Sequence, residues 1–231
     1  MLEQRHKDKR KEPVMKLQII IGLIAALLLT QMPIVGKYFA VVNTMIHESG
    51  HSLIALITGG EVRQISLFPN TSGVTMTGHS SWISQFFTSI AGYVTSSLFA
   101  FLFFYLIMKG QYKWMIYILL GFLFINLIFW VRNFYGIFWI VTFGSAFIYL
   151  LRSGKEGLIQ FVLVFIACLV LVESVTSAFE IMWISFIAPQ QAGDAANLAR
   201  ATRFIPAPLF GAGFFAQSLY FAWMALKRVF G

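Results

Sequence analysis

The chain has 231 residues, 58% of them hydrophobic and 11% charged, with 25 phenylalanines. Soluble domains carry about a quarter charged residues, so this balance excludes an ordinary soluble protein. The net charge of +8 does not point to nucleic acid either, because Lys and Arg gather in the first sixteen positions and elsewhere stand singly or in pairs between apolar runs, the distribution that sets membrane topology.

Arg5, Lys7, Lys9, Arg10, Lys11 and Lys16 form a basic tail over residues 1–16, read as disordered and cytoplasmic against an anionic leaflet. Residues 17–231 then read as a single membrane-embedded domain. The run from Leu17 to Leu29 has the flavour of a signal peptide, but "LLLTQMPIVGKYF" lacks a small-x-small cleavage site, so a retained first helix is expected. Apolar runs bounded by Gly, Pro or basic residues predict helices at 17–35, 38–58, 83–108, 112–131, 134–151, 158–187 and 208–228. The expected architecture is therefore an all-α integral membrane bundle of about seven transmembrane helices with short connections. Arg132 and Asn133 read as one of those connections. Cys168, the single cysteine, sits in "FVLVFIACLVLV" and reads as packing.

Two segments break the helical pattern. Residues 59–82 contain β-favouring stretches, Val62 to Phe68 and Gly73 to Thr77, around the turn-rich "PNTSG", which predicts a small β-hairpin. Residues 188–211 are interrupted by Pro189 and Gly193 before a polar, helix-like stretch for which Asp194 is placed as N-cap.

The second apolar run carries "HESGH", residues 47–51, in a chain with only four histidines. On a helix, His47 and His51 share one face a turn apart and can aim at one metal ion, while Glu48, rotated around the axis, can reach a water there without being a ligand. Zinc brings the pKa of such a water to about 7, and Glu48 can take its proton as the oxygen attacks a carbonyl. The reaction class is peptide-bond hydrolysis. Ionisable groups at membrane depth are costly unless paired or bound, which favours this reading over two histidines merely bonded to neighbouring helices.

A catalytic zinc ordinarily has three protein ligands. Glu61 and Glu156 read as solvated, and His79, after the hairpin, as interfacial. Glu173 and Glu180, seven apart in "LVESVTSAFE", share a helix face, whereas Asp194 lies where the chain is irregular and can approach a polar cavity. The residues alone leave these three acids level.

"HESGH" followed by "ALITGGEV", "ISLFPNTSGVTMTG", the small-residue "IAGYVTSSLFA" and the late "GDAANLARAT" resemble, over most of residues 40–210, the bacterial membrane zinc metallopeptidases of the site-2 protease type. The resemblance implies zinc held by His47, His51 and Asp194, with Glu48 as catalytic base. It implies a membrane protein as substrate, the lipid bilayer as setting, and the bacterial inner membrane as location. The acid stands in "GDAAN" rather than in a Leu-Asp-Gly context, the motif falls on the second apolar helix, and no peptide-binding (PDZ) insertion is present, so the resemblance is to a compact subgroup. Asn197, one turn beyond Asp194, is a candidate donor to a developing oxyanion. The hairpin is a candidate for pairing with an unwound substrate as an added strand. The competing readings are a carrier of metal ions or protons lined by His47, Glu48, His51, Glu173 and Glu180, and an inactive relative that binds membrane partners.

Overall fold

The computed structural model describes the backbone of residues 2–231 and the side chains of residues 13–231. Its elements in chain order are α1 (Leu2–Thr30), α2 (Val35–Ile57), β1 (Glu61–Leu67), β2 (Gly73–Gly78), α3 (Trp82–Met108), α4 (Tyr112–Phe129), α5 (Phe134–Ser153) and α6 (Glu156–Ile187). A 3-10 turn (Pro189–Gln191), the short α7 (Gly193–Thr202) and α8 (Ala207–Phe230) complete the chain. The seven long helices correspond to the seven apolar runs. Helix α1 extends further than its run, its backbone continuing through the basic segment that composition marks as disordered.

Six helices among the described residues, α1, α3, α4, α5, α6 and α8, are long and apolar enough to cross a membrane. Helix α2 is not among them, because Asn43, His47, Glu48 and His51 lie within its 23 residues. It is instead buried by its neighbours, and what it touches explains how a polar helix is tolerated. Lipid tails are as apolar as leucine, so helices in a membrane associate through close packing and hydrogen bonds rather than through expulsion of water. Gly50 supplies the close packing: a Cβ there would lie 2.6 Å from Thr95 Oγ1 and 2.8 Å from the Ala91 carbonyl of α3. On another face, Ser49 Oγ lies 2.7 Å from the Met45 carbonyl and 3.0 Å from Asn126 Oδ1 of α4. The Trp139 indole of α5 donates to the Tyr38 carbonyl at 2.7 Å.

The two strands form an antiparallel hairpin, with a bulge between Val62 and Gln64. The second edge of β1 is also occupied. Ile65 N–H donates to the Trp130 carbonyl at 2.8 Å, and Arg132 N–H donates to the Ile65 carbonyl at 3.3 Å. One step further on, the Asn133 carboxamide imitates a strand: its Oδ1 accepts from Leu67 N–H at 3.1 Å and its Nδ2 donates to the Leu67 carbonyl at 2.6 Å. Residues 130–133 are thus more than a helix connection. They pin β1, while the outer edge of β2 pairs with no other strand among the described residues.

Candidate metal centre

Helix α2 sets the first two groups of the site. His47 and His51, one turn apart, point their Nε2 atoms at a common space, 3.0 Å from each other. His51 Nδ1 lies 2.6 Å from the Thr88 carbonyl of α3. A carbonyl can only accept, so Nδ1 carries the proton and Nε2 is left with its lone pair toward the site, the arrangement by which an outer partner fixes the tautomer of a metal-binding imidazole.

Helix α7 brings the third group from the far part of the chain. Asp194 Oδ2 lies 3.2 Å from Nε2 of each histidine. Asp194 is not the N-cap that the sequence suggests; it stands inside the first turn, which begins at Gly193, with Ala192 at the cap position. A carboxylate there is favoured by the positive end of the helix.

These three atoms could hold a metal ion. Each of the three can give an electron pair to one ion. Tetrahedral ligands at the usual zinc distances of about 2.0 to 2.2 Å stand about 3.3 Å apart, close to the separations found. Gly92 on α3 supplies a further test of fit. A Cβ at that position would lie 2.5 Å from His47 Nε2 and 2.6 Å from His51 Nε2, so the absence of a side chain keeps the space beside both nitrogens open.

Glu48 is buried, at 6% exposure, and is held from the hairpin. Thr75 Oγ1 lies 2.6 Å from Glu48 Oε2. A Cβ at Gly73 would fall 2.5 Å from Glu48 Oε1 and 2.6 Å from its Cγ, so strand β2 approaches the carboxylate as closely as only glycine permits. These groups line a cavity of about 530 Å³ that is also walled by Asn43, Tyr93, Ser177 and Asn197, a size suited to a short stretch of peptide.

The other sequence candidates fall elsewhere. Glu61 is exposed and pairs with Arg63 at 2.9 Å, and Glu156 is exposed in the first turn of α6. Glu173 is half-buried and Glu180 exposed on α6, and neither belongs to the His47–His51–Asp194 group. His79 reaches the cavity rim, where its Nε2 lies 3.2 Å from Thr77 Oγ1; partial burial moves its imidazole below the usual value. Asn197 lines the cavity, and its Oδ1 accepts from the Arg200 guanidinium.

Thr75, Thr88, Gly73 and Gly92 are site residues that the sequence, read one residue at a time, does not single out. The signal available is indirect: Gly73 and Thr75 lie in the hairpin-like segment and Gly92 in the small-residue segment that follow the histidine motif, with Thr88 between the two. A family model described as Peptidase M50B-like matches residues 20–225. No curated protein matches the chain, and neither does any solved structure.

Proposed function

The chain belongs to the Peptidase M50B-like family, and from that premise we propose that it is a zinc metalloendopeptidase that hydrolyses peptide bonds of membrane protein substrates in or near the bilayer. The observation that carries the proposal is the convergence of His47, His51 and Asp194 within 3.2 Å of one another, beside a buried Glu48. His47, His51 and Asp194 are the ligands in this reading. When bound, zinc supplies Lewis acidity toward a water molecule and a carbonyl oxygen.

The chain's own residues do the rest. The Thr88 carbonyl orients His51, and Gly92 leaves room beside both imidazoles. Thr75 anchors one oxygen of Glu48, leaving the other to take a proton from the attacking water and pass it to the leaving nitrogen. Arg200 engages Asn197 through Oδ1, which turns the amide nitrogen of Asn197 toward other partners, including the carbonyl oxygen as it gains charge. The free edge of β2 runs along the cavity through Gly73, Val74, Thr75 and Thr77. An extended substrate segment pairs there in register, because a transmembrane helix must be unwound before its peptide bonds are accessible and its freed main-chain groups need partners. In this reading residues 17–231 form the catalytic domain, residues 1–16 a basic tail, and the protein sits in the cell membrane with the tail cytoplasmic.

Metal analysis paired with a cleavage assay tests the proposal. The Glu48→Gln protein keeps one zinc per chain and loses cleavage, whereas Asp194→Ala loses zinc. Stoichiometric zinc in Asp194→Ala, together with its loss on replacing Glu173 or Glu180, would assign the third ligand to α6 instead.

A further inference from the structure

Tyr93 follows Gly92 on α3 and lines the cavity at 8% exposure. Its ring is clamped from two sides. It stands edge-on to His47, with centroids 4.6 Å apart at 82°, and stacks on Phe214 of α8 at 4.5 Å and 28°. A phenylalanine would make both contacts equally well, so packing accounts for the ring and leaves the hydroxyl unexplained. Enclosed tyrosines ordinarily find a partner for that group, yet the Tyr93 hydroxyl makes no hydrogen bond among the described residues. Asn43 Oδ1 and Thr88 Oγ1 also lack partners, but those atoms are sealed from the cavity. Of the other donors on the wall, Thr75 is committed to Glu48 and Ser177 to the Glu173 carbonyl, while the Asn197 amide nitrogen is a second donor for the substrate carbonyl oxygen.

We propose that the Tyr93 hydroxyl is a catalytic hydrogen-bond donor to the carbonyl oxygen of the scissile bond, an assignment that rests on the hydrolase reading above. As the water oxygen bonds to the carbonyl carbon, the C=O π pair moves onto the carbonyl oxygen and Glu48 holds the proton that the water has lost. Tyr93 donates to that oxygen without giving up its own proton. The pair returns as the C–N bond breaks, and Glu48 delivers its proton to the leaving nitrogen. A donor fixed by two ring contacts needs no reorganisation when the charge develops, which is where such donors gain their effect.

The test compares two labelled peptides of the same sequence binding to the zinc-loaded full chain in detergent. One carries a phosphonate, whose charged tetrahedral group imitates the anion, and the other the ordinary amide. Both are measured in the Glu48→Gln background, where the amide survives, with and without Tyr93→Phe. Removing the hydroxyl should weaken the phosphonate roughly 10- to 100-fold, the range for a hydrogen bond to a charged group, and leave the amide, the zinc content and the thermal midpoint unchanged. An equal loss for both peptides, no loss for either, or no preference for the phosphonate before Tyr93 is changed would each overturn the assignment. Cleavage by the Glu48-bearing protein alongside undiminished phosphonate binding by Tyr93→Phe would remove Tyr93 alone. Tyr93-dependent discrimination without any cleavage would instead remove the hydrolase reading and keep the contact.

Discussion

His47 and His51 are legible in the sequence because the proposed metal site depends on a helical spacing that can be counted, and Glu48 because it sits between them. Replacing Glu48 by Gln keeps the shape and removes the proton acceptor, so peptide cleavage should fall by about 10²- to 10⁴-fold, the usual share of general base catalysis, with zinc content unchanged. Asp194 is harder to read. Nothing local distinguishes it from Glu173 or Glu180, and only the fold, by bringing α7 against α2 and α3, or a resemblance, separates them. Gly92 is not legible at all, since its contribution is an absence. Its Ala variant places a methyl 2.5 Å from His47 Nε2. Zinc affinity should drop roughly 10- to 100-fold, as when the surroundings of a metal ligand are disturbed, and competition against a chelator of known affinity measures it.

Among the elements, the hairpin carries most of what links structure to chemistry. Its strands follow from β-favouring residues around a turn, and they appear where the sequence places them. What holds them is not readable, because Asn133 acts by mimicking main chain; likewise Thr88 orients His51 through its carbonyl, a group every residue owns. The Asn133→Leu variant leaves Leu67 N–H and C=O without partners. It should destabilise the protein by about 1–3 kcal/mol per unpaired buried group, seen as a lower midpoint in thermal unfolding. Gly73→Ala acts differently, pushing β2 away from Glu48. It should reduce cleavage while zinc content stays at the wild-type level, a separation that activity and metal assays on the same preparation detect.

For the whole molecule, composition decides the class before any motif is considered. Six of the described helices meet the requirements of a membrane span, so the protein should leave membranes with detergent and remain in them through high salt and alkaline washing. The burial of α2 encloses the chain's most polar long apolar run, the candidate metal centre, among its neighbours. Bilayer-facing helices insulate it, and Gly50, Gly73 and Gly92 let α3 and β2 come close enough to shape the cavity around it. Hydrolysis of membrane proteins at this centre is measured by mapping new protein N-termini in membranes from cells carrying either the wild-type or the Glu48→Gln chain at equal abundance. A set of termini within or beside transmembrane segments should be present with the wild-type chain and absent with the Glu48→Gln chain; identical sets in the two membranes would rule out such hydrolysis.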